Sequence, residues 1–210
     1  MKPYSTFRYI FPPRPQTKSP SSGLNTFERL GMWAQPKLNG SCGVLFLNGS
    51  TAKMMGRHNN TFTRQLIPEH DLTAIHKGKG YMVLIGEYMN KSQRDSKGKL
   101  FNGCFVIFDI LVYNGRHLIN TSFEERQSIL DDLYPLQPFD TFISKVSNSI
   151  YRAHNFKSDF ANIWKTAIKT EMIEGFVLKK PGAKLEDGTR EANNTGWQVK
   201  IRKATKNYQY

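Results

Sequence analysis

Across 210 residues the chain carries 30 Lys and Arg against 17 Asp and Glu, a net charge of +13. That length buries a real core, as one large domain or at most two small ones, and the charge suits a phosphate backbone more than an anionic membrane surface. There is no long apolar run or signal-like N-terminus, and Cys42 and Cys104 have neither metal-ligand spacing nor a disulfide framework.

The simple reading of those two cysteines is a reduced, intracellular, cytoplasmic protein, and the five scattered histidines give no zinc site. Residues 1–27 contain no acid but carry Lys2, Arg8, Arg14 and Lys18 among Pro12, Pro13, Pro15 and Pro20. Proline locks φ and removes a donor, which predicts an extended arm outside sheet and helix. Tyr9, Ile10 and Phe11 give that arm something to pack with, so it should lie on the remaining domain, residues 28–210.

In Trp33-Ala34-Gln35-Pro36-Lys37-Leu38-Asn39-Gly40 a lysine stands between a predicted strand and a glycine turn, with a strand resuming over 41–47. Sheet on both sides would fix its backbone and let its amine project into a cleft. Residues 44–47 and 51–55 then flank Asn48-Gly49, a hairpin signal. Gly56-Arg57 closes the second strand. A short helix follows over 68–77, then an apolar strand over 81–88 containing Gly86-Glu87. Residues 90–99 read as a polar loop exposing Lys91, Arg94, Lys97 and Lys99.

Residues 105–112 form a second buried strand, holding Phe108-Asp109 and turned by Asn114-Gly115. Thr121 or Ser122 caps the next helix, with Glu124 and Glu125 in its first turn. Phe160, Ile163, Trp164, Ala167 and Ile168 lie on one face of a helix over 158–170 and read as core. Strands over 175–179 and 197–201 flank a polar loop over 181–196. There are no internal repeats, and the pattern is α+β, mainly antiparallel sheet with a few helices.

Any one of these strings is commonplace. In order, Lys37-x-Asn39-Gly40, Gly56-Arg57, Gly86-Glu87, Phe108-Asp109, Glu174-Gly175 and Lys200-Ile201-Arg202 resemble the covalent nucleotidyltransferases: ATP-dependent DNA ligases, RNA ligases and mRNA capping enzymes. The resemblance spans about residues 33–203. It is closest to the ATP-dependent DNA ligases around Phe108-Asp109-Ile110-Leu111-Val112-Tyr113-Asn114-Gly115 and Phe123-Glu124-Glu125-Arg126.

That resemblance implies a ligase-type, ATP-grasp-like nucleotidyltransferase domain and attack of Lys37 on the α-phosphorus of ATP, leaving a lysyl-AMP. A free lysine at about pH 7.4 needs roughly 4 kcal/mol to lose its proton. Nearby cations lower that cost, and Lys200 and Arg202, two apart on a strand, point to one face and would also neutralise the α-phosphate. The resemblance makes Glu174 the metal-associated glutamate, for Mg²⁺. It places Gln35 at the adenine edge, Asn39, Arg57 and Glu87 at the ribose, Phe108 on the base, and Lys179 nearby. The implied partner is nicked duplex nucleic acid, DNA favoured over RNA, sealed by a monomer of cellular, viral or phage origin.

Three departures stand out. Asn39 replaces the family's aspartate and brings no charge. Cys42 stands where DNA ligases commonly have an arginine for the nick 5′-phosphate. The chain also reaches Tyr210 without the OB-fold domain that DNA ligases and capping enzymes carry, which leaves the acid-free arm as an expected added contact to the polymer. An RNA ligase, a GTP-using capping guanylyltransferase and a non-catalytic nucleic-acid-binding protein remain open at this point.

Overall fold

The computed structural model describes residues 8–137, 139–188 and 193–204; Lys2 and part of the 181–196 loop lie outside them. Two apolar runs account for the centre of the fold. β5 (Met82–Met89) and β8 (Cys104–Tyr113) are buried on both faces, because core covers each of them. They sit in the middle of a sheet ordered β10 (Ile143–Lys145), β11 (Ile150–Ala153), β8, β5, β3 (Ser41–Asn48), β4 (Thr51–Gly56), with β9 (Arg116–His117) pairing β8. Alternation along β3 sends Leu45 and Leu47 to one core and Val44 and Phe46 to the other.

A second sheet is ordered β1 (Arg14–Lys18), β13 (Asn194–Arg202), β12 (Ile173–Lys179), β2 (Trp33–Leu38). A third core fills the space beside it, with Ala34, Leu38, Phe176, Leu178 and Ile201 meeting Met89, Val106, Phe142 and Phe160. β2 belongs to one sheet and β3 to the other. The Asn39-Gly40 turn therefore joins the two sheets, two residues after Lys37.

Most pairings are antiparallel, as the alternating pattern predicts; β1 with β13 and β11 with β8 are parallel. The Asn114-Gly115 turn is made as expected, both residues at positive φ (50° and 75°). In the earlier hairpin β3 runs through Asn48, so the turn pair is Gly49-Ser50, one residue on from the predicted dipeptide. Only Gly49 has positive φ, as a first central glycine allows.

Helix α3 (Phe123–Leu133) starts with a full capping box. Glu125 N–H donates to Ser122 Oγ at 3.1 Å, and Ser122 N–H donates to Glu125 Oε2 at 2.6 Å. α2 (Glu69–Thr73) and α4 (Phe160–Ala167) are shorter than their patterns suggest. Because α4 ends at Ala167, Ile168 caps it and is 44 % exposed rather than core.

Two segments differ from the sequence reading. The predicted polar loop over 90–99 contains β6 (Gln93–Arg94), which hairpins with β7 (Leu100–Phe101). The turn is held by buried Asp95, whose Oδ1 accepts from Lys97 and Lys99 N–H at 2.9 Å each. The acid-free arm enters the sheet: β1 is an edge strand, and α1 (Leu24–Arg29) follows it. Proline is tolerated at an edge, where a missing N–H faces no ladder partner. Ile10 and Leu24 are buried, so the arm is tied to two of the cores.

Candidate active site

The register of the smaller sheet brings distant residues into rows. Lys37 opposes Gly175, and Gly175 opposes Arg202. Two residues along, Gln35 opposes Val177, which opposes Lys200. Two further, Trp33 opposes Lys179, which opposes Gln198. Alternate rows share a face. That face is one wall of a cleft of about 500 Å³, lined by Gln35, Lys37, Val177, Lys179, Gln198, Lys200 and Arg202.

Gly175 is required by this arrangement. Its φ is +151°, and a Cβ there would collide with the Ile201 carbonyl oxygen of β13. The β12–β2 register shifts between Ile173 and Gly175, so Glu174 sits at the irregularity. Its Oε2 accepts a hydrogen bond from Lys37 Nζ and lies 3.4 Å from Arg202 Nε. Lys37, Glu174 and Arg202, far apart in sequence, thus form one charged group across the strand ends of the smaller sheet.

The opposite wall comes from the larger sheet. Gly40 N–H donates to Glu87 Oε1 at 3.0 Å, and a Cβ on Gly40 would collide with the Tyr88 carbonyl oxygen. The glycine of the lysine string is needed because the turn presses against β5. Gly86 is excluded from carrying a side chain by Phe105, whose Cζ would lie 2.5 Å from its Cβ. Phe108 is half-buried with its ring on the cleft. Its carbonyl accepts from Gln35 Nε2 at 3.1 Å and Gln127 Nε2 at 3.2 Å, which anchors β8 to β2 and α3.

Behind Phe108, Asp109 receives a two-pronged bond from Arg126: Nε to Oδ1 at 2.9 Å and Nη2 to Oδ2 at 3.0 Å. Both are buried, and Arg126 Nη1 also donates to the Thr121 carbonyl at 2.9 Å. The carboxylate of the Phe-Asp string is structural.

Lys179, Lys200, Glu87 and Cys42 are displaced from their ordinary values. Lys179 is 3 % exposed, its ammonium 5.1 Å from the Phe108 ring centroid and 4.6 Å from that of Phe123. Burial pulls its pKa down to about 8. Lys200 is also lowered, first by burial and then by Arg202, Lys18, Lys37 and Arg14. Burial pushes Glu87 up to about 7. Burial and then Glu87 push the Cys42 thiol to about 12, so it is neutral and not a nucleophile.

Of the residues singled out from sequence, Gln35, Lys37, Arg57, Glu87, Phe108, Lys179, Lys200 and Arg202 line this cleft. Glu174 joins Lys37, Arg57, Glu87 and Arg202 in the adjoining one. Arg57 and Glu87 share both clefts without a direct ion pair; Arg57 Nε instead reaches His58 Nε2 at 3.1 Å. Asn39 lines neither. Its backbone is spent on Met172 and on Gln93 Nε2. Sequence reasoning missed Pro12, Pro13, Arg14 and Gln16, which also line the cleft; the arm's lack of acid was the only available signal.

The family profile described as ATP dependent DNA ligase domain matches residues 72–198, more than half of the chain. The chain belongs to the ATP-dependent DNA ligase domain family. That stretch covers Glu87, Phe108, Glu174 and Lys179, whereas Gln35, Lys37, Asn39, Arg57, Lys200 and Arg202 lie outside it. The fold agrees. The ligase domain of M. tuberculosis LigD superposes with a TM-score of 0.61 at 17 % identity, covering 93 % of this chain and 60 % of that one. The bacteriophage T7 ATP-dependent DNA ligase, in complex with ATP, gives 0.53 at 13 % identity, over 91 % and 68 %. The Chlorella virus DNA ligase-adenylate gives 0.52 at 12 % identity, again over 91 % and 68 %. The present ligase-family chain thus spans about 60 % of the LigD domain's length. No curated protein matches it. Among its described residues no helix is long and apolar enough to cross a membrane.

Proposed function

We propose that this domain seals 5′-phosphate/3′-hydroxyl nicks in duplex DNA through an AMP carried on Lys37. The observation that carries the reading is the charged group of Lys37, Glu174 and Arg202, with Lys200 one row from Arg202, beside a cation-lined cleft with Phe108 on its far wall.

Each residue has work that its position allows. Lys200 and Arg202 place two cations on the cleft wall that Lys37 shares. Glu174, hydrogen-bonded to Lys37, is the acceptor within reach of its proton. The amine nitrogen then bonds the α-phosphorus of ATP as the bond to the bridging oxygen breaks and pyrophosphate leaves. Lys200 and Arg202 stabilise the charge gathering on the α-phosphate. Phe108 offers a face to the base, and Glu87 and Arg57 reach toward the sugar. A nick 5′-phosphate would next displace Lys37 from the phosphorus and take the AMP. A 3′-hydroxyl then closes the strand and releases AMP.

Mg²⁺ fits what is present. Glu174 and Glu87 are two carboxylates on one cleft beside Lys37. That sparse set suits a cation that keeps waters and shares phosphate oxygens. When bound it supplies neutralisation of phosphate charge.

The test is incubation with α-labelled ATP and, separately, GTP, followed by sealing of nicked DNA and nicked RNA duplexes. ATP labelling with DNA sealing is expected. Labelling by GTP alone would make this a capping-type guanylyltransferase, sealing of RNA alone an RNA ligase, and no labelling a non-catalytic binding protein.

A further inference from the structure

From sequence the arm is expected to touch the polymer. The structure sets it on the wall of the cleft. β1 is hydrogen-bonded along β13, the strand that carries Lys200 and Arg202. Ser19 N–H donates to the Lys200 carbonyl at 3.1 Å, and Lys200 Nζ donates to the Pro15 carbonyl at 3.2 Å. Lys200 is therefore held at its carbonyl by Ser19, just past β1, and at its ammonium by Pro15 of β1, where the β1–β13 register begins to shift. Arg14 N–H donates to the Asn193 carbonyl at 3.0 Å, and Arg14 Nε bonds Asn194 Oδ1, which aims its guanidinium along the cleft wall.

We propose that Arg14 is a phosphate-binding residue of this site, delivered to the nucleoside triphosphate by β1. The reading rests on the function proposed above and adds a residue to it. Charge is the argument. The cleft is lined by Arg14, Lys37, Arg57, Lys179, Lys200 and Arg202, opposed within it by Glu87 alone among the described residues. Crowded cations repel one another, and a bound polyanion offsets that repulsion. Arg14 differs from a polymer contact on an outer face because it shares its wall with the residues meant for the α-phosphate. A guanidinium there offers planar, charge-assisted donors to phosphate oxygens that a lysine matches only as a point charge.

The experiment uses the full chain with Arg14→Gln and Arg14→Lys. Three quantities are read: KM for ATP in Lys37 labelling, equilibrium binding of ATP, and the salt slope of nicked-duplex binding. Arg14→Gln should raise both KM and the ATP dissociation constant about tenfold or more, the loss expected of one charge-assisted bond. Arg14→Lys should recover part of it. If ATP binding is unchanged and the salt slope falls by about 0.9, Arg14 is a polymer contact and the proposal is overturned. If nothing changes, it is a solvated side chain and the proposal is equally overturned.

Should Arg14→Gln melt early, Thr195→Val is the control: it removes the Thr195 Oγ1 bond to the Arg14 carbonyl and so loosens β1 while keeping the guanidinium and its Asn194 partner. ATP binding weakened in Arg14→Gln and intact in Thr195→Val assigns the effect to the guanidinium; equal losses in both overturn it. Failure of the ligase reading is separable. A wild-type chain that binds ATP without labelling loses that reading alone, and the binding arms still decide Arg14. A wild-type chain that binds no ATP overturns both.

Discussion

Lys37 and Glu174 hydrogen-bond across the β2–β12 pair, at the point where Gly175 leaves room for β13 to pass. The pair places a proton acceptor on the candidate nucleophile before any nucleotide arrives. Glu174→Gln keeps the shape and a hydrogen bond but loses the charge. Single-turnover labelling at saturating ATP should slow by about 10²-fold or more, the range of a lost acid–base group. A rate within a few-fold of wild type would make the glutamate a packing residue.

Lys200 and Arg202 should separate from Phe108 in kinetics. Alanine variants of the two cations should lose labelling mainly in kcat, because their charge acts on the developing transition state. Phe108→Leu, which keeps bulk in a half-buried position, should weaken ATP binding through lost stacking and leave kcat nearly intact. Equal losses of both kinds in all three variants would mean that a folding defect had been mistaken for chemistry.

Lys179 carries a pH signature. Its folded pKa of about 8 lies below its ordinary value of 10.5. Below pH 8 the lysine is charged in both states, and the folded chain bears the full penalty of burying it. Between 8 and 10.5 the unfolded chain binds more protons, so stability rises with pH and the penalty fades. The melting-temperature difference between Lys179→Met and wild type should therefore shift against the variant as pH rises through that window, while ATP binding is weakened throughout. A difference flat with pH would show that burial does not tax this charge.

The Asp109–Arg126 pair supports the strand that presents Phe108. Both groups are buried, so removing one strands the other. Asp109→Ala or Arg126→Met alone should cost about 3–5 kcal/mol in chemical denaturation. The double change Asp109→Leu with Arg126→Met should recover much of that. A single variant as stable as wild type would contradict the assignment of this carboxylate to structure.

Much of this was legible in the sequence, for local reasons. β5 and β8 announce themselves as apolar runs, the α3 cap as Thr121 or Ser122 ahead of Glu124 and Glu125, and the β8–β9 turn as Asn114-Gly115, since each signal lies within a few residues of its effect. Motif order alone put Lys37, Glu174 and Arg202 into one proposed site. What could not be read is pairing. Nothing near Arg14 announces that its strand partner is Asn194, 180 residues on, and an acid-free, proline-rich stretch looks the same whether it lies on a sheet edge or in solvent. Ile168 matched the apolar stripe and is exposed because α4 stops one residue earlier, an end set by packing and not by period.

The central claim is a covalent adenylate on Lys37, and intact-mass measurement tests it directly. Wild-type protein incubated with ATP and magnesium should gain the mass of one adenylate, mapping to the peptide that contains Lys37. Lys37→Ala should gain none. Lys37→Arg should also gain none, because guanidinium is not deprotonated in this range. An adenylate that persists in the alanine variant, or maps to another lysine, would contradict the account at its centre.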